Sequence, residues 1–255
     1  MKEHFLTIDK IYDKKQIDMI SSHLKSGMTA IDAGAYTGSV TNLFGKLVTS
    51  SGKIFAFEPS KETFIKLCDN TKDNKHIRCI NSAISDYHGC GYLCIYGPPT
   101  GYCMVDPLGA KTQMDEYIDK RKKNFEKINV TYIDKFCEDN LIEKVDFIKI
   151  DVEGQELEVL YGAEKTIDRS EHIKLIIEIH NQPERKPLSI TKTDISFDMK
   201  HRFPDNNKKI HKFLKDKEFK AYHFNKDRPN TLGNKVTENN IAESVRGINE
   251  IIAIR

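Results

Sequence analysis

Tryptophan is absent from this chain, and so is any real excess of charge. Lys and Arg number 40 against 38 Asp and Glu, a formal net charge of +2, far too balanced for a protein that lives on nucleic acid phosphates. Nucleic acid is therefore not an expected partner. No stretch approaches the roughly 18 uninterrupted apolar residues of a membrane helix. The opening Met1-Lys2-Glu3-His4-Phe5 also lacks the apolar core of a secretory signal. No membrane association is expected. Cys68, Cys79, Cys90, Cys94, Cys103 and Cys137 include no C-x-x-C pair, which leaves zinc ribbons and thioredoxin-like motifs unsupported and reads as reduced thiols in a cytoplasmic protein. Internal repeats and low-complexity linkers are missing too. Partners have to be sought in sites, not in bulk properties.

What is present is a set of strand-length apolar blocks. Hydrophobic residues make up 38% of the chain, enough for a full core, and the Phe and Tyr residues belong mostly to it. Ile17, Ile20 and Leu24 recur at helical spacing before Gly27. Met28 to Asp32 reads as a strand, Ser39 to Val48 as a helix, Lys53 to Phe57 as a second strand, and Lys61 to about Thr71 as a helix before a strand through Ile77 and Ile80. A strand over Val145–Ile150, a helix over Gln155–Ile167 and a strand over Ile173–Ile179 continue the alternation. The remainder supplies a helix near Asn207–Lys217 and strands near Lys220–Phe224 and Glu250–Ile254, which suit an antiparallel pair at a sheet edge. Such alternation implies a mostly parallel sheet with helices on both faces. One domain over residues 1–255 is expected, with an N-terminal helical segment over 1–27 and rim insertions over 86–127 and 181–205.

The first strand runs into Asp32-Ala-Gly34-Ala-Tyr36-Thr37-Gly38 just before a helix. Glycines at such a turn let the backbone approach a ligand, although a tight strand-to-helix connection also needs them sterically. A dinucleotide site wants G-x-G-x-x-G, so a dehydrogenase reading fails on the spacing. D-x-G-x-x-x-G suits S-adenosylmethionine, which has no phosphates; the acid at the turn can serve its ammonium. Glu58, ending the second strand, can accept two hydrogen bonds from a ribose diol. At the end of the third strand Asn81-Ser82-Ala83 reads either as an adenine contact or as a simple turn.

Ile31 to Gly38, Phe57-Glu-Pro59, Asn81-Ser-Ala83, Phe147-Ile-Lys-Ile-Asp151-Val-Glu153-Gly154 and Val159-Leu-Tyr-Gly-Ala163 together resemble the FkbM family of methyltransferases. The likeness covers about Thr29 to Ile179, with Tyr36 standing where an asparagine is frequent. It implies a class I methyltransferase fold of the Rossmann-like α/β type, with a seven-stranded mostly parallel sheet and an antiparallel edge strand. It also implies S-adenosylmethionine as methyl donor, and usually transfer to an oxygen of a sugar or natural product. Asp32, Gly34, Tyr36, Thr37, Gly38, Glu58, Ser82, Ala83 and Asp151 are the expected cofactor residues.

Asp151 ends a central strand on the carboxyl edge of the sheet, where open α/β folds bind their ligands. Glu153 lies just beyond, either as a second acid at the site or as a cap for the following helix. Glu178 and His180 share a face of the next strand. Asp151, Glu178 and His180 are then a candidate shell for Mg²⁺ or Mn²⁺, an arrangement resembling the metal site of catechol-type O-methyltransferases. Without a metal, Asp151, Glu153 or His180 is the candidate catalytic base. The segment 181–205, with Arg185 and Arg202, reads as a lid over the acceptor or as a plain connector.

The expected activity is O-methylation of a saccharide hydroxyl, with a sugar or sugar nucleotide destined for a surface glycan as acceptor. N-methylation of a small amine, O-methylation of a non-sugar natural product and a non-catalytic adenosine-ligand module stand as rivals, and a homodimer as candidate assembly.

Overall fold

The computed structural model describes residues 14–95, 103–107, 125–179, 206–224, 232–237, 240–241 and 250–255. Its first half follows the apolar spacing closely. Helix α1 (Lys14–His23) leads to β1 (Thr29–Ala33), α2 (Ser39–Val48), β2 (Lys53–Phe57), α3 (Lys61–Thr71) and β3 (Ile77–Ile80). Strand β1 pairs in parallel with β2 and with β8 (Phe147–Ile150), and β8 pairs in parallel with β9 (Lys174–Glu178). Because period-2 alternation sends successive side chains to opposite faces, each of these strands feeds two cores. Ile31, Ala33, Ile148, Ile150, Leu175 and Ile177 pack on one face. Ala30, Ile54, Phe147 and Ile176 meet Met19, Ile20, Val40, Phe44 and Val48 on the other. There Phe44 stands edge-on to Phe147 at 5.4 Å between ring centroids.

Among the described residues the main sheet has eight strands, not seven: with β10 (Lys220–Phe224), β11 (Leu232–Lys235) and β12 (Glu250–Ile254) the order is β11-β10-β12-β9-β8-β1-β2-β3. Strands β10 (Lys220–Phe224) and β12 (Glu250–Ile254) form the expected antiparallel pair, but they are not the edge. Strand β12 also pairs antiparallel with β9 and lies inside the sheet. Its Ile251, Ile252 and Ala253 are all buried, as suits a strand inside a sheet covered on both faces. The short, half-exposed β11 (Leu232–Lys235) takes the edge instead.

Part of the stretch expected as a rim insertion at 86–127 is a second sheet. Strands β4 (Ala83–Ile84), β5 (Gly89–Ile95), β6 (Cys103–Pro107) and β7 (Phe125–Thr131) assemble in the order β4-β7-β5-β6. Ala83, Leu93, Ile128 and Val130 form its small core. Gly89 and Gly91 conceal the alternation of β5 in the sequence. The basic run Lys120–Lys123 and the segment 181–205 lie outside the described residues.

Helix α4 (Ile133–Asp139) was not anticipated, and the single helix expected over Gln155–Ile167 is two, α5 (Glu156–Tyr161) and α6 (Glu164–Arg169). Gly162 at the break passes so close to the Ser85 carbonyl that a Cβ there would sit 2.1 Å from its oxygen. Asp134 of α4 restarts the chain beyond it by accepting the backbone N–H groups of Lys165 and Thr166 at 2.9 and 2.7 Å, satisfying donors that a helix start leaves open. Helix α7 (Asn206–Asp216) packs near α5. No helix among the described residues is long and apolar enough to cross a membrane.

Candidate active site

Parallel strands deliver their carboxyl ends to one edge of the sheet, and the residues singled out from the sequence collect there. The turn after β1 is held from both sides. Gly34 and Ala35 donate their N–H groups to the Phe57 carbonyl at 3.1 and 2.9 Å, and the Thr37 carbonyl accepts from the Asn70 amide at 2.8 Å. Gly34 and Gly38 have φ of +83° and +89°, a region open to glycine at little cost. A Cβ on Gly34 would lie 1.8 Å from the Asp151 carbonyl oxygen. The turn is thus in backbone contact with the rim of β8. Tyr36 adopts φ 50°, where asparagine is tolerated far better than a bulky aromatic. Its side chain is exposed at the mouth of the turn.

Asp32 has no exposed surface. Its Oδ2 accepts the Thr41 hydroxyl at 2.7 Å, and its Oδ1 lies 3.7 Å from Lys149 Nζ. Burial pushes its pKa up, while Lys149 and Thr41 pull it back. The carboxylate expected to serve a ligand's ammonium is thus enclosed beneath the surface, where it ties β1 to Thr41 of α2 and Lys149 of β8.

Glu58 lies where expected, after β2, and is 6% exposed. Its two oxygens accept the Tyr36 and Ser60 N–H groups at 3.0 and 2.9 Å. Burial outweighs those bonds and raises its pKa to about 7. The folded protein therefore keeps a proton that the unfolded chain, titrating near 4.5, has released. Stability from this group is complete below pH 4.5 and is lost as pH rises through about 7, an effect of about 3 kcal/mol at most. Glu58→Gln should flatten that slope. Urea unfolding of both proteins at pH 5 and pH 8 measures it, and parallel slopes would locate the effect elsewhere.

Asn81 does not reach outward: its amide donates to the Glu58 and Pro59 carbonyls, both at 2.9 Å. Ser82 is buried and its hydroxyl turns onto the Ala83 carbonyl at 3.0 Å, while Ala83 opens β4. This is turn geometry that fixes the Glu58 segment.

At the rim, Asp151, Glu153 and Glu178 bring one carboxylate oxygen each within 4.8 Å of one another. Asp151 is placed by its N–H bond to the Ala33 carbonyl at 3.1 Å and by Lys149, whose Nζ donates to Oδ2 at 2.9 Å. Glu153 has φ 58° and joins the acids. Glu156, the first residue of α5, accepts the Val152 and Gly154 N–H groups at 3.2 and 2.9 Å, which ties the loop after β8 to the helix without capping it. His180 lies outside the described residues, so the expected Asp151–Glu178–His180 shell is seen only in its two acids, with Glu153 added. Glu250, 7% exposed, faces Glu178 across the β9–β12 register. Sequence reading missed Lys149, Glu156 and Glu250. Lys149 did carry a signal, a lone charge inside the apolar run Phe147-Ile-Lys-Ile150.

Comparison with known proteins adds to this geometry. The family described as the Methyltransferase FkbM domain matches residues 32–221. No curated protein matches. Among solved structures, fibrillarin from Aeropyrum pernix with natively bound S-adenosyl-L-methionine is 12% identical, covering 94% of this chain and 74% of its own, at a TM-score of 0.45. The precorrin-6y C5,15-methyltransferase of Geobacter metallireducens is 12% identical over 100% of this chain and 96% of its own, TM-score 0.45. An S-adenosylmethionine-dependent O-methyltransferase of Thermotoga maritima is 14% identical over 97% and 70%, TM-score 0.46.

Proposed function

The chain belongs to the FkbM methyltransferase family, and from that premise we propose that it moves the methyl group of S-adenosylmethionine to a hydroxyl of a saccharide, carried free or on a nucleotide. The observation behind this reading is the direct contact between the glycine turn and the carboxylate rim, Gly34 against the Asp151 carbonyl. A cofactor lying on the turn would have its reacting end beside three acids.

The bound cofactor would supply a sulfonium methyl open to in-line displacement. The backbone turn from Gly34 to Gly38 would run alongside its amino-acid end, and Glu58 would hold the ribose diol. Asp151, Glu153 and Glu178 would accept the acceptor's hydroxyls, set one oxygen in line with the methyl, and leave Asp151 or Glu153 to take its proton. Three oxygen donors within 4.8 Å also fit a hard divalent cation, and Mg²⁺ or Mn²⁺ there would acidify the hydroxyl. The same acids suit an ammonium, which keeps N-methylation of a small amine as the second reading.

Labelled S-adenosylmethionine incubated with a panel of nucleotide sugars and of small amines separates the two. Label in a sugar is the expected result, and label only in amines would reverse the assignment. Exhaustive chelation is expected to suppress turnover and Mg²⁺ or Mn²⁺ to restore it; undiminished turnover would remove the cation and leave proton transfer to the side chains.

A further inference from the structure

Lys149 sits within β8 between Ile148 and Ile150 and is 2% exposed. Burying an ammonium is costly unless anions and hydrogen-bond acceptors meet it. Here they come from two directions. Parallel register sets Lys149 beside Asp32 on β1, so the two side chains share a face, and Asp151, two residues on, shares it as well. Nζ donates to Asp151 Oδ2 at 2.9 Å and stands 3.7 Å from Asp32 Oδ1. The other Asp32 oxygen accepts the Thr41 hydroxyl at 2.7 Å, in the first turn of α2. A continuous polar chain therefore runs Thr41–Asp32–Lys149–Asp151 through the floor of the site. One end ties to the helix that closes the glycine turn, and the other is a rim acid. At that rim end the backbone of Gly34 comes so close to the Asp151 carbonyl that a Cβ would lie 1.8 Å from its oxygen.

We propose that Lys149 is a positioning residue for the cofactor: its ammonium locks the Asp32 carboxylate beneath the glycine turn and the Asp151 carboxylate at the rim, and so holds the turn in its ligand-accepting shape. The residue acts through Asp32 and the turn, not by touching the ligand. This inference rests on the cofactor reading of the turn given above. It goes beyond that reading because the interior of β8 carries no other expected part of the site.

The probe is S-adenosylhomocysteine, titrated calorimetrically into the full chain. Binding by the unaltered protein checks the cofactor reading itself; absence of binding there would sink that reading before any variant is compared. Lys149→Met keeps the apolar stem and removes the charge. It is expected to weaken binding about tenfold or more, while Lys149→Arg, which retains the charge, stays within about threefold of the unaltered protein. If the ammonium acts through Asp32, its loss should matter little once that carboxylate is neutral. Introduced into Asp32→Asn, Lys149→Met should then cost no more than about threefold. Should Lys149→Met alone fail to fold, Lys149→Arg against the unaltered protein and the double variant against Asp32→Asn still test the proposal, since more than about threefold lost in either comparison would overturn it. Affinity unchanged in Lys149→Met, an Arg variant as weak as the Met one, or the same factor lost in both backgrounds would overturn the proposal.

Discussion

Gly34→Ala is expected to abolish cofactor binding and to destabilise the protein by about 4 kcal/mol or more. Two costs combine. At φ +83° an alanine occupies the left-handed region, at roughly 1 to 2 kcal/mol. Its Cβ would also lie 1.8 Å from the Asp151 carbonyl oxygen, and that oxygen cannot swing away as a side chain would. Its residue is fixed through the N–H bond to Ala33, so either the turn lifts or β8 shifts against β1. Both distort the backbone surface on which the ligand would lie. Urea unfolding and calorimetry with S-adenosylhomocysteine test the two halves separately. A variant with unaltered stability and affinity would mean that the turn and the rim are not in the contact described.

Asp151→Asn should reduce turnover by a factor on the order of 10² to 10⁴, the range for losing a positioned proton acceptor or a charge at the reacting centre. Asparagine keeps the volume and one acceptor oxygen but not the charge. Lys149 would still face Asp32, and the Asp151 side chain is 27% exposed, so the fold should persist. Cofactor affinity is expected to fall less than tenfold. Rate measured with the acceptor found in the panel, beside calorimetry on the same preparation, makes the comparison. Turnover within a few-fold of the unaltered enzyme would shift the chemistry to Glu153 or to residues beyond the rim.

The parts of this site that sequence alone disclosed are those set by local rules. A strand, an acid, two glycines and a helix in succession disclose the turn, and Glu58 follows because it ends the neighbouring strand. Asp151 was visible for the same reason. What stayed hidden depends on register between strands distant in the chain. That Lys149 lies level with Asp32, or Glu178 level with Glu250, follows from pairings that no spacing within one strand encodes. Whether Glu153 joins the rim acids or caps the following helix was also closed to sequence, because it lies just before that helix and only the backbone path through Glu153 and Gly154 separates the two roles. Within the second sheet, glycines at 89 and 91 break the alternation that leads to Leu93, and Ile128 and Val130 keep it only over a short charged strand. An eighth strand escaped notice because Leu232–Lys235 is short and carries a single large apolar residue.

Strand β12 lies between β9 and β10, although β10 precedes it in the chain. Strands β1, β2 and β3 are joined by brief crossovers, whereas the β1–β8 and β9–β12 pairings close long loops. Loop-closure entropy is spent there before any contact repays it. The two sides of the site thus differ in what they cost to assemble. The glycine turn belongs to the locally connected side, and the stretch of rim where Glu178 meets Glu250 belongs to the side of high contact order.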